Sequence, residues 1–147
     1  MIRIAIVEDE DMYVQQFTGY LKEYQKTCEE ELNVTIYRDG DGIVEHYKAQ
    51  FDIILMDIQM RFMDGMSAAE EIRKVDSEVV IMFITNMTQY AIRGYEVDAL
   101  DYILKPVSYF AFTQKVGRAI ARIHRRETSQ ITVPVKGGIV RLKVADI

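Results

Sequence analysis

Five apolar runs divide the chain: IRIAIV at residues 2–7, VTIY at 34–37, DIILM at 52–56, VVIMFI at 79–84 and ALDYIL at 99–104. Their apolarity is continuous rather than alternating, which suits strands covered on both faces and therefore a parallel sheet. Between the first two runs Val14, Phe17, Leu21, Tyr24 and Cys28 recur at three- and four-residue spacing, the buried stripe of a helix. Met66, Ala69, Ile72 and Val75 form a second such stripe, and Phe112, Val116, Ile120 and Ile123 another. Strand and helix alternate through five repeats. Right-handed crossovers then predict an α/β domain, a doubly wound five-stranded parallel sheet with helices on both faces.

The pattern changes toward the end. Ser108, just behind Pro106, is a good N-cap for a last helix running to about Glu127. After it ITVPV and IVRLKV alternate in polarity around KGG, which predicts a β-hairpin with Pro134 at an edge or unpaired position. A hairpin alone is marginal in water, so it leans on something or belongs to a domain that is cut off.

Composition narrows the classes. The chain has 147 residues, 49% of them hydrophobic, enough for one sizeable core and too few for two full domains. No apolar stretch approaches a membrane span and no signal-peptide layout opens the chain, so a cytoplasmic protein is expected. Cys28 is the sole cysteine, which excludes an internal disulfide, no CxxC or Cys/His cluster suggests zinc, and Cys28 reads as a core-side helix residue. The net charge of −5 conceals an acidic body and a basic tail, with Lys115, Arg118, Arg122, Arg125 and Arg126 crowding the outer face of the last helix.

In open parallel sheets ligands gather beyond the carboxyl ends of the strands. Glu8, Asp9, Glu10 and Asp11 follow the first run, Asp57 the third, Thr85 the fourth, and Lys105 with Pro106 the fifth. Glu10 or Asp11 is expected to cap the next helix. Glu8, Asp9 and Asp57 together place three negative charges at one end of the sheet, which requires a compensating cation. Hard oxygen donors with positions left for water and phosphate suit Mg²⁺, to which the backbone carbonyl of Gln59 adds a further ligand. With Lys105 as a second cation and the Thr85 hydroxyl as a donor, Asp57 can act as a nucleophile toward phosphorus.

At this point the sequence resembles a response-regulator receiver domain, the phosphoacceptor half of two-component signalling. The matching stretches are IAIVED at the start, ILMDIQMRFMDG around Asp57, FIT ending at Thr85 and DYILKP ending at Pro106, and together they span about residues 1–125. The resemblance implies a flavodoxin-like sheet of strand order 2-1-3-4-5 and a cis bond between Lys105 and Pro106. It implies that Asp57 accepts the phosphoryl group from a sensor histidine kinase. Glu8 and Asp9 would hold Mg²⁺ with Asp57 and the Gln59 carbonyl, and Thr85 and Lys105 would contact the phosphoryl oxygens. Tyr102 falls on the family's aromatic switch position, its ring turning inward as Thr85 is drawn toward the phosphoryl group.

Three departures from the family's pattern bear on function. Glu8 stands where Asp is commoner, which favours a water-mediated metal contact. Arg61 replaces a proline, which frees the loop after Asp57 and turns a charge toward the kinase. Asn86 and Met87 are bulky beside Thr85 and are expected to shield the acyl phosphate, giving slow self-dephosphorylation.

TQYAIRGYEVDALDYILKPV resembles, more narrowly, the receivers joined to a LytTR-type DNA-binding domain, whose opening hairpin ITVPVKGGIVRLKVADI resembles in turn. The resulting division is a receiver over residues 1–127 and a linker with that truncated domain's hairpin over 128–147. DNA would be bound by the missing part, for transcription regulation. A homodimer through the face of the fourth helix, fifth strand and fifth helix is a further expectation, with Tyr90, Ile92, Tyr95 and Val97 as candidate contacts. Three rivals remain. An aspartyl phosphatase would place a second acid where Gln59 stands, and a flavin-binding module would need a phosphate loop where the acidic EDEDM lies. An interaction module that never takes up phosphate would not need Asp57, Thr85 and Lys105 together.

Overall fold

A computed structural model describes residues 1–87, 94, 96–128, 130–135 and 138–143. The strands are β1 (Ile2–Val7), β2 (Leu32–Tyr37), β3 (Ile53–Met56), β4 (Val80–Thr85) and β5 (Asp101–Leu104). They form one parallel sheet of order β2-β1-β3-β4-β5, the order that the resemblance implies. The helices are α1 (Asp11–Gln25), α2 (Gly40–Val44), α3 (Gly65–Arg73) and α4 (Tyr109–Thr128). Gly94 and Glu96 are helical, but Tyr90, Ile92 and Tyr95 of the expected dimer contact lie outside the described residues. Val97 is buried and packs into the core.

Continuous apolarity in the strands has the anticipated cause. Ala5, Val7, Ile54, Met56, Ile81 and Phe83 alternate along β1, β3 and β4 and pack with Met66, Ala69 and Ile72 of α3. The residues between them, Ile4, Ile6, Ile53, Leu55, Met82 and Ile84, are buried as well, so both faces of the sheet are covered. Val14, Phe17 and Leu21 form the buried stripe of α1. Phe17 stacks on Phe112 of α4 with ring centroids 5.4 Å apart.

Two stripe residues fall outside their helices. α1 ends at Gln25, leaving Cys28 only partly buried, and α3 ends at Arg73, leaving Val75 67% exposed. In both cases the periodic pattern outruns the helix, by three residues in α1 and two in α3. Glu10 is the N-cap residue of α1, yet its side chain caps nothing; its amide donates to Glu8 Oε1 at 3.2 Å, and Asp11 pairs with Arg38. Ser108 does cap α4, its hydroxyl accepting from the Ala111 amide at 3.1 Å.

The chain divides into two compact units, residues 1–113 and 114–147. Within the second, Val116, Ala119, Ile120 and Ile123 are buried along α4. β6 (Gln130–Val135) and β7 (Gly138–Lys143) pair antiparallel as the predicted hairpin, with Pro134 opposite Ile139.

Candidate functional site

Strand register assembles the site. Val7 pairs with Met56, so the next residues, Glu8 and Asp57, emerge side by side at the carboxyl end of the sheet. The ladder continues one residue past the strands: the Glu8 amide donates to the Tyr37 carbonyl at 2.9 Å, and the Asp57 amide to the Val7 carbonyl at 3.0 Å. On the other flank the Lys105 amide donates to the Thr85 carbonyl at 2.9 Å. The peptide bond between Lys105 and Pro106 is cis.

The Lys105 ammonium joins the two acids, lying 2.7 Å from Glu8 Oε2 and 3.0 Å from Asp57 Oδ2. All three side chains are almost wholly enclosed: Lys105 is 3% exposed, Glu8 1% and Asp57 6%. Asp57 Oδ1 accepts from the Ile58 amide at 2.7 Å, which fixes the carboxylate with one edge toward the lysine. Burial pushes the Glu8 carboxyl up to about 7; the Lys105 hydrogen bond opposes that rise and the Asp57 charge adds to it. Burial alone would lower the Lys105 ammonium, but the two carboxylates outweigh it and hold it above the ordinary lysine value.

Asp9, Glu10, Asp57, Gln59, Arg61 and Asn86 line an adjoining cavity of about 340 Å³. Glu8, Asp9 and Glu10 present carboxylate oxygens within 4.8 Å of one another. The carboxylate oxygens are hard donors of the kind that Mg²⁺ takes, and the acids lining the cavity, Asp9, Glu10 and Asp57, outnumber its one lining cation, Arg61. The structure thus brings Asp9, Asp57 and Gln59 of the expected ligand set to one cavity, while Glu8 faces Lys105 instead.

Thr85 is fully buried at the end of β4, and its hydroxyl oxygen accepts from the Met87 amide at 3.2 Å. It does not line the cavity; its neighbour Asn86 does. The Tyr102 hydroxyl donates to the Met87 carbonyl, and its ring lies beside Phe83 with centroids 6.0 Å apart. One residue, Met87, therefore bonds to both expected switch side chains.

In the loop after Asp57, the two residues that follow Arg61 are held by hydrogen bonds. Asp39, two residues past β2, accepts from the Phe62 amide at 2.9 Å and the Met63 amide at 2.8 Å. Burial raises the Asp39 carboxyl, but the amides of Phe62, Met63, Asp41 and Gly40 outweigh it and hold it below the ordinary aspartate value. Gly65 closes the loop, its amide donating to the Ile58 carbonyl at 2.7 Å, in a space where a Cβ would come within 1.9 Å of the Asp57 carbonyl oxygen. Sequence reasoning passed over Asp39, which opens DGDG one residue beyond the second apolar run, with Arg38 between them.

The chain is 34% identical to the transcriptional regulatory protein PcoR of Escherichia coli over 137 residues, covering 90% of this chain and 56% of that protein. It is 32% identical to the sensory transduction protein LytT of Bacillus anthracis, covering 95% and 55%. The chain spans about half the length of the curated relatives it matches. Among solved structures, the response regulatory domain of mrkE from Klebsiella pneumoniae superposes with TM-score 0.75 at 23% identity, covering 84% of this chain and 98% of that one. The response regulator TrrA of Thermotoga maritima, in complex with Mg²⁺-BeF, has the same fold at TM-score 0.69 and 22% identity, covering 81% and 99%. Residues 4–116 match the response regulator receiver domain, and the chain belongs to that family.

Proposed function

We propose that this chain is a phosphorylation-controlled switch in which Asp57 accepts a phosphoryl group from a sensor histidine kinase in the cytoplasm. The observation that carries the proposal is the Lys105 ammonium lying between buried Glu8 and Asp57, beside a cavity of oxygen donors. An Asp57 carboxylate oxygen attacks phosphorus in line; the new O–P bond forms as the bond to the donor breaks, and the leaving group departs with its electron pair. Lys105 offsets the charge that gathers on the phosphoryl oxygens. Because the Thr85 hydroxyl oxygen already accepts from Met87, its proton is available to a phosphoryl oxygen. Mg²⁺, held by Asp9, Asp57 and the Gln59 carbonyl with Glu8 behind them, would supply further charge neutralisation.

Movement of Thr85 toward the phosphoryl group draws on Met87 and releases the Tyr102 hydroxyl, so that the ring turns and the surface around β5 changes. Residues 1–127 form the receiver, and 128–147 the linker and first hairpin of a LytTR-type DNA-binding domain, through which a longer protein regulates transcription. The LytT relative supports this last assignment.

Incubation with acetyl phosphate and Mg²⁺, read by intact mass, tests the core of the proposal. Wild type gains one phosphoryl group and loses it slowly, whereas Asp57→Asn gains none. Equal gain in both, or no gain in wild type, would refute the assignment, and sustained phosphate release would favour a phosphatase.

A further inference from the structure

The lysine that joins Glu8 and Asp57 has a third neighbour. Its ammonium lies over the ring of Tyr13, 3.8 Å from the centroid. Tyr13 sits in the first turn of α1, far from Lys105 along the chain and outside every strand end that chemistry singles out. The contact has the geometry of a cation over the negative face of an aromatic quadrupole, and such contacts strengthen when water is excluded. Water is excluded here, since the Lys105 side chain is 3% exposed.

The ring is itself held from behind. Tyr13 stacks on Phe17 at 5.8 Å with planes 29° apart, and Phe17 stacks on Phe112 at 5.4 Å with planes 12° apart. Phe17 and Phe112 are fully buried core residues, so this wall is anchored in the fold. A lysine has four rotatable carbons and loses much rotamer freedom when confined. The ring adds a third contact to the two carboxylates that already hold the ammonium.

We propose that Tyr13 is a positioning residue for Lys105, its ring face holding the ammonium against Asp57 so that the lysine is already placed when a phosphoryl group arrives. The inference rests on the phosphoacceptor reading above for its consequence in rate, but not for the contact itself. Tyr13 touches no reacting atom, and it acts through the lysine alone. The phenol oxygen is not needed for this role; the π face is.

Three versions of the full chain test it: wild type, Tyr13→Phe and Tyr13→Leu, with Tyr13→Met in place of the leucine variant should circular dichroism show the latter unfolded. The initial rate of phosphorylation by acetyl phosphate with Mg²⁺ is expected to stay within about twofold in Tyr13→Phe and to fall roughly 5- to 30-fold in Tyr13→Leu. In the unphosphorylated proteins, ring current from Tyr13 should move the Lys105 ε-methylene protons upfield of the other lysines. That shift should persist in Tyr13→Phe and vanish in Tyr13→Leu. A phosphorylated wild type matched in rate by Tyr13→Leu overturns the positioning role. Identical ε-methylene shifts in wild type and Tyr13→Leu overturn the contact. If wild type accepts no phosphoryl group, the phosphoacceptor reading fails, and the proton shifts then decide the Tyr13 contact on their own.

Discussion

Replacing Asp39 by Asn should unfasten the loop that follows Asp57, and the structure sets the size of the effect. Two carboxylate oxygens serve two amides, Oδ2 that of Phe62 at 2.9 Å and Oδ1 that of Met63 at 2.8 Å, while the capping contact to Asp41 at 3.5 Å is too long to add much. Asparagine offers one carbonyl oxygen and one NH₂ group, so one of the two amides must face a donor. A hydrogen bond to a charged acceptor contributes about 1.5–3 kcal/mol, and the amide left without a partner adds its own cost. We expect Asp39→Asn to lose about 2–3 kcal/mol at neutral pH, a shift of roughly 1 M in the urea midpoint for a slope of about 2–3 kcal/mol/M.

The loss should also depend on pH in a defined direction. Asp39 has a folded-state pKa below its ordinary value of 3.8. Such a group contributes stability above the unfolded-chain pKa, and that contribution is lost as pH falls through the lower folded value. The gap between wild type and Asp39→Asn is therefore constant near neutrality and narrows below about pH 4. Urea unfolding of both proteins from pH 7 to pH 3, followed by far-UV circular dichroism, measures it. Equal midpoints at pH 7, or a gap that persists undiminished at pH 3, would show that Asp39 does not hold the loop by its charge.

Gly65→Ala should be costlier to function than to fold. Its Cβ would lie 1.9 Å from the Asp57 carbonyl oxygen and 2.9 Å from the carbon, so the acceptor's own backbone has to give way. A lower thermal midpoint, about 1–3 kcal/mol of destabilisation, together with slowed acetyl-phosphate labelling, is expected, and wild-type values for both would contradict the close approach. For the switch, the Tyr102 ring should leave the Met87 carbonyl when beryllofluoride and Mg²⁺ are added; one and the same rotamer in both states would end that part of the proposal.

Much of this fold is legible because its strands are covered twice. IRIAIV and VVIMFI can be read as sheet without alternation, and polar residues directly behind such runs can only lie at strand ends, which gave Glu8, Asp57, Thr85 and Lys105 a common address. β2 was harder to use. It is an edge strand with only partial burial, its following helix is five residues long, and the acid behind it is separated from its run by Arg38. Asp39 therefore did not stand out as a strand-end acid, and its bonds to Phe62 and Met63 join loops that no local pattern connects. Tyr13 was illegible for another reason. At helical spacing it is one more aromatic near Phe17, and only the path of the Lys105 side chain makes it part of the pocket. Cys28 and Val75 show the opposite error, periodicity continuing past the point where the backbone stops being helical.

The acceptor strand and the lysine strand stand in unequal places. β3 has a partner on either side, β1 and β4, and all four of its residues are buried, whereas β5 closes the sheet with Leu104 49% exposed. Amide protons of Ile54 and Leu55 should exchange with deuterium only through global opening, those of β5 through cheaper local excursions. In the switch proposed above, a covalent load on Asp57 would leave its own mooring still, and the displacement would be expressed at the sheet's margin, where a visiting protein could feel it.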